Sequence, residues 1–181
     1  MEKWQSGDVA AFESLFRQYE KAVFNNAYLI TGNREDAEDV LQEVFTSVWK
    51  SRHTFDPDKG KLSTWLHRIT VNESLRKRRK GPPTVALDEV RLPESADRRD
   101  ETLIEHIEHE RMIKVLNTLD GRLRAVLVLR YFNDLSYEEI AKVVGVPLGT
   151  VKSRINHGLK ALRKRFGPDE LGNPEQEKHG P

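Results

Sequence analysis

The 181-residue chain contains no cysteine, which excludes disulfides, thiolate nucleophiles and cysteine-based metal sites. No apolar run approaches the roughly 20 residues that span a membrane, and the first residues, MEKWQSGDVA, lack the hydrophobic core of a signal peptide. Strand signals are nearly absent as well: there is no period-two alternation, and the pair Asp120-Gly121 lies between helical patterns. We therefore expect an all-α protein that stays in the cytoplasm.

Charge is distributed unevenly along the chain, although the formal net charge is only +1. Residues 108–166 hold 12 Lys and Arg against 6 Asp and Glu, and residues 1–80 hold 14 against 12. Residues 81–107 and 167–181 are acidic, with 3 against 7 and 1 against 4. Two basic blocks separated by an acidic spacer and followed by an acidic tail are typical of nucleic-acid-facing modules on a tether.

The composition also predicts where the domains begin and end. Residues 81–101, GPPTVALDEVRLPESADRRDE, combine prolines with acidic charge and lack helical periodicity, which predicts a flexible linker. Residues 167–181 are too polar and too rich in proline to pack, so we expect a disordered tail. Two small all-helical domains are therefore expected at 1–80 and 102–166, because 37% apolar residues suffice for modest cores.

Residues 135–165 predict a helix-turn-helix. Ser136 and Glu139 form a capping box that starts the first helix, and Gly145 and Pro147 end it. Apolar residues recur every three or four positions in the second helix: Val151, Ile155, Leu159 and Leu162. Its opposite side and flanks carry short polar residues suited to base edges and cations suited to phosphates: Gly149, Thr150, Lys152, Ser153, Arg154, Asn156, His157 and Lys160. A solvated amphipathic helix fits the same pattern. The capping box, the turn and the polar and basic residues of the outer face together favour DNA binding.

Three further helices are predicted in the first eighty residues. One apolar stripe runs from about Asp8 to Thr31, and a second covers residues 37–49 without error. The outer face of the second helix is acidic and polar: Asp36, Asp39, Gln42, Glu43 and Thr46. Acidic residues in a first turn also complement the helix dipole, so a solvated surface remains an alternative interpretation of this face.

The third helix, from about Leu62, has apolar residues on two sides. Val71 and Leu75 lie roughly opposite Leu62, Trp65, Leu66 and Ile69, and a small domain usually covers such a second side with something else. The helix ends in five cations, at 76–80, which fit either a solvated helix end or a phosphate-binding surface.

Four segments together resemble the signature blocks of ECF-type sigma factors, the smallest members of the sigma-70 superfamily. They are DAEDVLQEVF at 36–45, STWLHRITVN at 63–72, RAVLVLRYFNDLSYEEIA at 124–141 and VPLGTVKSRI at 146–155. The resemblance covers about residues 7–80 and 102–166 in the family's order. It implies sigma region 2 at 1–80 and sigma region 4 at 102–166, in a specificity subunit of bacterial RNA polymerase. His157 and Gly158 depart from the pattern, since family members often carry Arg and Ala there.

The resemblance also implies a role for each surface. The acidic face of the second helix would dock on the clamp helices of the largest polymerase subunit, through Asp36, Asp39, Gln42, Glu43 and Thr46. The loop Phe55–Lys61 would capture a flipped base of the minus-ten element, and Asn72 would face the upstream edge of that element. The predicted minus-ten contacts are Phe55, Asp56, Lys61, Asn72, Arg76, Lys77, Arg78 and Arg79. The helix-turn-helix, Tyr137 to Asn156, would read the minus-thirty-five element, with the contacts Thr150, Lys152, Ser153, Arg154, Asn156, His157 and Lys160.

The partners implied by the family are core RNA polymerase, including the flap of its second largest subunit, promoter DNA and an anti-sigma factor. No cofactor and no enzyme activity are expected: His106 and His109 lack further metal ligands, and the GKLST segment lacks the glycine and Lys-Ser/Thr order of a phosphate loop. A stand-alone dimeric helix-turn-helix regulator is the main alternative. A regulator would bind duplex DNA tightly by itself, whereas a sigma factor needs core polymerase. A helical adaptor that binds only protein is a third possibility, but it would leave the basic surfaces without a purpose.

Overall fold

The computed structural model describes residues 3–80 and 112–166, and within them all regular secondary structure is helical. The elements are a 3₁₀ turn at Lys3–Ser6, α1 (Val9–Thr31), α2 (Arg34–Lys50), a 3₁₀ turn at Arg52–Thr54, α3 (Leu62–Lys80), α4 (112–117), α5 (Gly121–Tyr131), α6 (Tyr137–Val144) and α7 (Leu148–Phe166). The all-α prediction is confirmed. The predicted linker, 81–101, and tail, 167–181, lie outside the described residues.

Local capping explains where the first two helices begin and end. The Asp8 carboxylate accepts from the backbone N–H of Ala11 at 3.1 Å and starts α1. Gly32 ends α1 in the left-handed region, with φ 79°, and donates its N–H to the carbonyl oxygen of Tyr28. Asn33 follows at once and caps α2 through the N–H of Asp36. The α1–α2 corner is therefore fixed by two consecutive residues, Gly32 and Asn33.

Helices α1, α2 and α3 pack around one apolar core, which the predicted stripes supply. Its buried residues include Leu15, Val23, Ala27, Val40, Val44, Val48 and Leu66. A cluster of large rings closes the end of this core near the amino terminus, where Trp4 packs on Phe55 and Trp65 with ring centroids 5.9 and 6.1 Å away.

Helices α4 to α7 form the second unit, and its helix-turn-helix matches the prediction. Both halves of the capping box are present: Glu139 N–H donates to the Ser136 hydroxyl, and Ser136 N–H donates to the Glu139 carboxylate at 2.9 Å. Gly145 ends α6 with φ 67°, a left-handed conformation that favours glycine. In α7, Val151 and Ile155 are buried against α5 and α6.

The second apolar side of α3 is covered by the second unit. Val71 is 1% exposed and belongs to the same buried cluster as Leu119, Val126 and Ile140, with Leu75 packed at its edge. The expectation that something covers Val71 and Leu75 is therefore confirmed. Leu29 and Ile30, near the end of α1, join this cluster too, so the two units share one core.

Candidate nucleic-acid interface and acidic helix face

The acidic face of α2 is exposed to solvent as the sequence predicted. Asp39, Gln42, Glu43 and Thr46 are exposed and Asp36 is half-buried, because Val40, Val44 and Val48 turn the opposite side of the helix into the core. The structure thus brings all five predicted polymerase-binding residues onto one surface.

Part of this face pairs with the start of the basic run on α3. Lys77 Nζ lies 2.5 Å from Asp39 Oδ2 and 3.4 Å from Asp36 Oδ1, and its pKa is raised mainly by the hydrogen bond to Asp39. Arg76 lies 3.6 Å from a Glu43 oxygen. Two surfaces that the sequence predicted separately, one for polymerase and one for DNA, are therefore adjacent and partly neutralise each other.

The cations at the end of α3 do not share one environment. Arg76 Nε bonds Glu73 at 2.6 Å, and Arg79 is exposed. The Arg78 side chain turns inward: its Nη1 donates to the carbonyl oxygens of Ile30 and Thr31 at 3.2 and 3.1 Å, and burial lowers its pKa. Arg78 therefore neutralises the carbonyl end of α1, a role that the sequence reasoning did not foresee.

The Phe55–Lys61 loop has a buried anchor and an exposed tip. Phe55 is 8% exposed and packs between Trp4 and Trp65. The Asp56 carboxylate pairs with Lys59 at 2.8 Å and accepts from the N–H of Asp58, and these interactions lower the Asp56 pKa. Lys61 is exposed. Of the three predicted DNA contacts here, Phe55 thus has its ring in the core, and Asp56 and Lys61 lie nearer to solvent.

Gln5 holds the buried end of this loop, which the sequence analysis missed. Its side chain is 3% exposed, and Nε2 donates to the carbonyl oxygens of Phe55 at 2.7 Å and Arg52 at 3.2 Å. The available signal was an apolar Trp4 that precedes the α1 cap at Asp8 and fits no helical stripe. Residues 3–6 thus anchor the candidate base-binding loop.

Asn72 and His67 lie on α3 in different environments. The Asn72 side chain is exposed, so its amide is accessible to a base. His67 is half-buried; the amide nitrogen of Asn26 lies 3.2 Å from its Nδ1, and burial lowers its pKa while Glu139 of α6 opposes that shift. Burial beside the second unit thus favours the neutral form of the His67 ring.

The residues predicted to read the minus-thirty-five element lie on or beside the outer face of α7. Lys152, Ser153, Asn156, His157 and Lys160 are exposed, and Thr150 and Arg154 are half-buried. Gly158 faces the other way: a Cβ at this position would lie 2.9 Å from Leu127 Cδ1. Its departure from the family pattern therefore accompanies a close approach of α7 to α5.

Comparisons with known proteins show which family the chain belongs to. The family model for Sigma-70 region 2 matches residues 15–81, and the model for Sigma-70 region 4 matches residues 109–162. ECF RNA polymerase sigma factor SigW of Bacillus subtilis is 33% identical over 173 residues, covering 90% of this chain and 92% of SigW. This chain belongs to the ECF sigma factors. SigE of Mycolicibacterium smegmatis is 40% identical over 169 residues, covering 87% of this chain and 63% of that longer relative.

Two solved structures resemble this ECF sigma factor over both units. CnrH, in complex with the cytosolic domain of CnrY, is 26% identical with a TM-score of 0.67, covering 93% of this chain and 94% of CnrH. RpoE of Bartonella quintana, in complex with the anti-sigma factor NepR, has the same fold, with a TM-score of 0.66 at 24% identity, covering 89% of this chain and 99% of that one. Family membership replaces the alternative of a stand-alone dimeric regulator.

Neither a metal cluster nor a membrane span is found where the structure can be described. Within residues 3–80 and 112–166, no three His, Asp or Glu side chains are grouped so as to hold a metal ion, and no helix there has the length and apolarity to cross a bilayer. His106 and His109 lie outside the described residues.

Proposed function

We propose that this protein directs core RNA polymerase to promoters by dividing the work between region 2, residues 1–80, and region 4, residues 102–166. It is a transcription initiation factor and not an enzyme, as its membership of the sigma factors shows. The proposal depends mainly on one observation. The two family models match in the family's order, and each matched segment of the chain has exposed polar and charged side chains that could bind polymerase or DNA. Residues 81–101 would join the two regions, and 167–181 would follow region 4.

In region 2, the acidic α2 face would dock on the clamp helices of the largest polymerase subunit. Solvent-exposed carboxylates can meet cations of a partner without first leaving a buried position, so Asp39 and Glu43 are available for this contact. The tip of the Phe55–Lys61 loop would hold an unstacked base, with Phe55 acting as a core anchor for the loop. Binding the unstacked base would offset the free energy of breaking its base pair, about a few kcal/mol.

Asn72 would discriminate bases at the upstream edge of the minus-ten element, because an exposed amide offers both a donor and an acceptor. Arg79, Arg76 and Lys77 would contact phosphates without reading sequence. Arg78 would contribute mainly by holding the end of α1, given its bonds to Ile30 and Thr31.

In region 4, α7 would enter the major groove of the minus-thirty-five element. Short side chains such as Ser153 and Asn156 lie in the first turns of the helix on its exposed face, where they can reach base edges. Lys152, Arg154 and Lys160 lie on or beside that face and would bind phosphates. The flap of the second largest polymerase subunit is a further partner of this region.

An anti-sigma factor would complete the set of partners. Support comes from the two solved relatives, since CnrH is bound to the cytosolic domain of CnrY and RpoE of Bartonella quintana to an anti-sigma factor. A protein that acts on core polymerase and promoters would reside in the cytoplasm.

The test is reconstitution with core polymerase, followed by mapping of transcript starts. The protein should bind core and give starts at defined promoters, whereas tight binding to duplex DNA without core would contradict the proposal. Ser153→Ala or Asn156→Ala should relax preference at one or two base pairs of the upstream element by about 1–3 kcal/mol. If Lys152 binds phosphate, Lys152→Ala should weaken binding to all promoter sequences equally.

The role of Asn72 is tested by permanganate footprinting of unpaired thymines. Asn72→Ala should bind core normally but form fewer open complexes on duplex promoters, and a pre-melted template should restore much of the loss. Normal bubble formation by this variant would remove Asn72 from the mechanism.

A further inference from the structure

His157 lies on the outer face of α7 and its ring points away from the protein. The side chain is exposed, and among the described residues no hydrogen bond or ion pair joins the imidazole to another group. Its neighbour Gly158 faces α5, where a Cβ would lie 2.9 Å from Leu127 Cδ1. The helix is thus packed closely on one side at this turn and presents the His157 ring to a bound molecule on the other.

The charges that α7 itself carries are all positive. Its cations are Lys152, Arg154, Lys160, Arg163, Lys164 and Arg165, and it contains no Asp or Glu. Residues three apart on a helix are neighbours on its surface, so Arg154 and Lys160 lie one turn from His157 on either side. A protonated His157 therefore finds no carboxylate on its own helix, whereas the phosphates of DNA are anions that it can meet.

The two helices that pack against α7 contact its other side, where Val151 and Ile155 are buried. Their ionisable residues are Arg122, Arg124, Arg130 and Tyr131 on α5 and Tyr137, Glu138, Glu139 and Lys142 on α6. The Glu139 carboxylate is engaged in the capping box with Ser136. Among the described residues, neither carboxylate of α6 forms an ion pair with His157.

The position of His157 along α7 favours a phosphate over a base edge. Recognition helices contact bases mainly through their N-terminal residues, and Ser153 lies one turn before His157 on the same face. His157 is the tenth residue of α7, about 14 Å from its start at 1.5 Å per residue, and the major groove is only about 12 Å wide. A helix that enters the groove by its N-terminal end therefore brings His157 to the phosphates that border the groove.

Protonation decides how strongly an imidazole binds phosphate. A neutral ring donates one N–H, whereas a protonated ring has two donors and a positive charge, and charge-assisted hydrogen bonds are roughly twice as strong as neutral ones. The ordinary pKa of histidine, about 6.5, lies near neutral pH, and lysine and arginine stay charged throughout that range. His157 is thus the residue of the α7 outer face whose charge can change near neutral pH.

We propose that His157 is a protonatable phosphate contact of region 4, through which binding of the minus-thirty-five element takes up as much as one proton from the solvent. The inference rests on the proposed function of region 4. The proton adds to the ring nitrogen that is unprotonated in the free chain, and the only new bond to DNA is a hydrogen bond. Because the complex holds the extra proton, affinity for the element increases as the pH falls and decreases as the pH rises.

The test compares the parent, His157→Gln and His157→Arg as holoenzymes with core polymerase. The probe is a duplex that carries the minus-thirty-five element of a mapped promoter and lacks the minus-ten element. From pH 8 to pH 6, the affinity of the parent relative to His157→Gln should rise by up to about fivefold, the effect of one phosphate contact at about 0.15 M salt. His157→Arg should bind more tightly than the parent at pH 8 and approach it at pH 6. Affinity ratios that stay constant over this range would overturn the proposal.

Salt titration separates a phosphate contact from a base contact. The log–log salt slope of the parent should be steeper at pH 6 than at pH 8 by up to about 0.9. His157→Gln should keep the shallow slope and His157→Arg the steep slope at both pH values. A pH-dependent affinity ratio with an unchanged slope would overturn the phosphate contact. His53→Gln, the same exchange at an exposed histidine of region 2, is the matched control and should behave as the parent does in both assays.

Failure of this inference is distinguishable from failure of the proposed function. Specific binding of the duplex by the parent holoenzyme, with constant affinity ratios, would reject the His157 contact and leave the sigma factor function intact. No specific binding by the parent at any pH would contradict the function proposed for region 4 and the inference with it. Helicity and melting temperature of the three variants should equal those of the parent at each pH, because the exchanged side chains are exposed.

Discussion

The guanidinium of Arg124 donates a hydrogen bond to the main-chain carbonyl oxygen of Leu29, 95 residues earlier in the chain. The bond joins a buried, charged arginine to the end of the longest helix in the described chain. Arginine is rarely found fully buried in a core. Burial, and then the nearby charge of Arg78, lower the pKa of Arg124 to about 9. The side chain is thus charged at neutral pH while fully enclosed.

Two substitutions of Arg124 should separate the stabilisation that its hydrogen bonds provide from the destabilisation caused by burying its charge. Arg124→Ala should lower the free energy of unfolding by about 3 kcal/mol, because it leaves a cavity and strands the buried carbonyl and amide acceptors. Arg124→Met keeps most of the volume and removes the buried charge, so the loss should be at least about 1 kcal/mol smaller. Urea unfolding of the two variants measures the difference, and equal losses would contradict this account.

His67 should make stability depend on pH. Its Nδ1 can accept from the Asn26 amide only while that nitrogen is unprotonated, and burial lowers the pKa of the ring below its ordinary 6.5. As the pH falls below 6.5, His67 becomes protonated in the unfolded chain but not yet in the folded chain. The free energy of unfolding therefore decreases as the pH drops through 6.5, and it stops decreasing below the pKa of the folded state. Melting temperatures between pH 7.5 and 5 should show this step, and His67→Gln should reduce it. An unchanged step in His67→Gln would assign it to other groups.

The acidic face of α2 should matter for binding and little for folding. Asp39→Lys with Glu43→Lys removes contacts to Lys77 and Arg76 that are solvent-exposed, and exposed pairs contribute about 0–1 kcal/mol each. Core polymerase affinity should nevertheless fall sharply while helicity is retained. Glu13→Lys on α1, which breaks the exposed pair with Arg17, is the matched control and should bind core normally. If the double variant competes for core as well as its parent, the face is only solvated surface.

Arg78 and Arg79 should have different effects although they are neighbours. Arg79 is exposed, so Arg79→Ala should weaken promoter binding at every sequence and reduce the log–log salt slope by up to about 0.7–0.9. Arg78→Ala should instead lower the melting temperature, because the carbonyl oxygens of Ile30 and Thr31 lose their donor. Thermal unfolding and salt titration of the two variants separate the roles. Identical behaviour in both assays would refute the division.

Gln5 should influence promoter opening from outside the loop. Gln5→Leu removes the donor to the Phe55 and Arg52 carbonyl oxygens, so the loop anchor loosens and open complexes on duplex promoters should decrease. Binding to core polymerase should persist, and a pre-melted template should recover activity. The control is Gln18→Leu, the same exchange at an exposed position of α1. A loss of core binding equal to the loss of opening would indicate a general folding defect.

The elements that sequence predicted well depend on local interactions. The capping box of Ser136 and Glu139, the left-handed turn at Gly145 and the apolar repeat through Val151 and Ile155 each lie within a few residues of one another, so their signals can be recognised without the tertiary structure. The exposed face of α2 followed for the same reason. Such patterns reveal which side of a helix is buried.

The features that sequence did not predict are long-range. Arg76 to Lys80 look alike as five cations, and only the position of the α1 carbonyl end distinguishes the inward Arg78 from the exposed Arg79. Arg124 lies beside the apolar run AVLVL, and burial of its charge depends on Leu29 and Asn117. Likewise, Val71 and Leu75 required a cover, but their pattern could not name region 4 as that cover.

The Lys77–Asp39 pair has a thermodynamic consequence for the order of events at a promoter. In the free protein the ammonium group and the carboxylate neutralise each other at 2.5 Å. In the proposed function Asp39 binds the polymerase, which breaks its ion pair with Lys77. Lys77 is then free to bind DNA phosphates. Linkage requires the reverse as well: DNA that captures Lys77 leaves Asp39 more available to polymerase. An exposed pair of about 0–1 kcal/mol limits this cooperativity to about fivefold, enough to make polymerase and promoter weak mutual effectors of one another through a single ion pair.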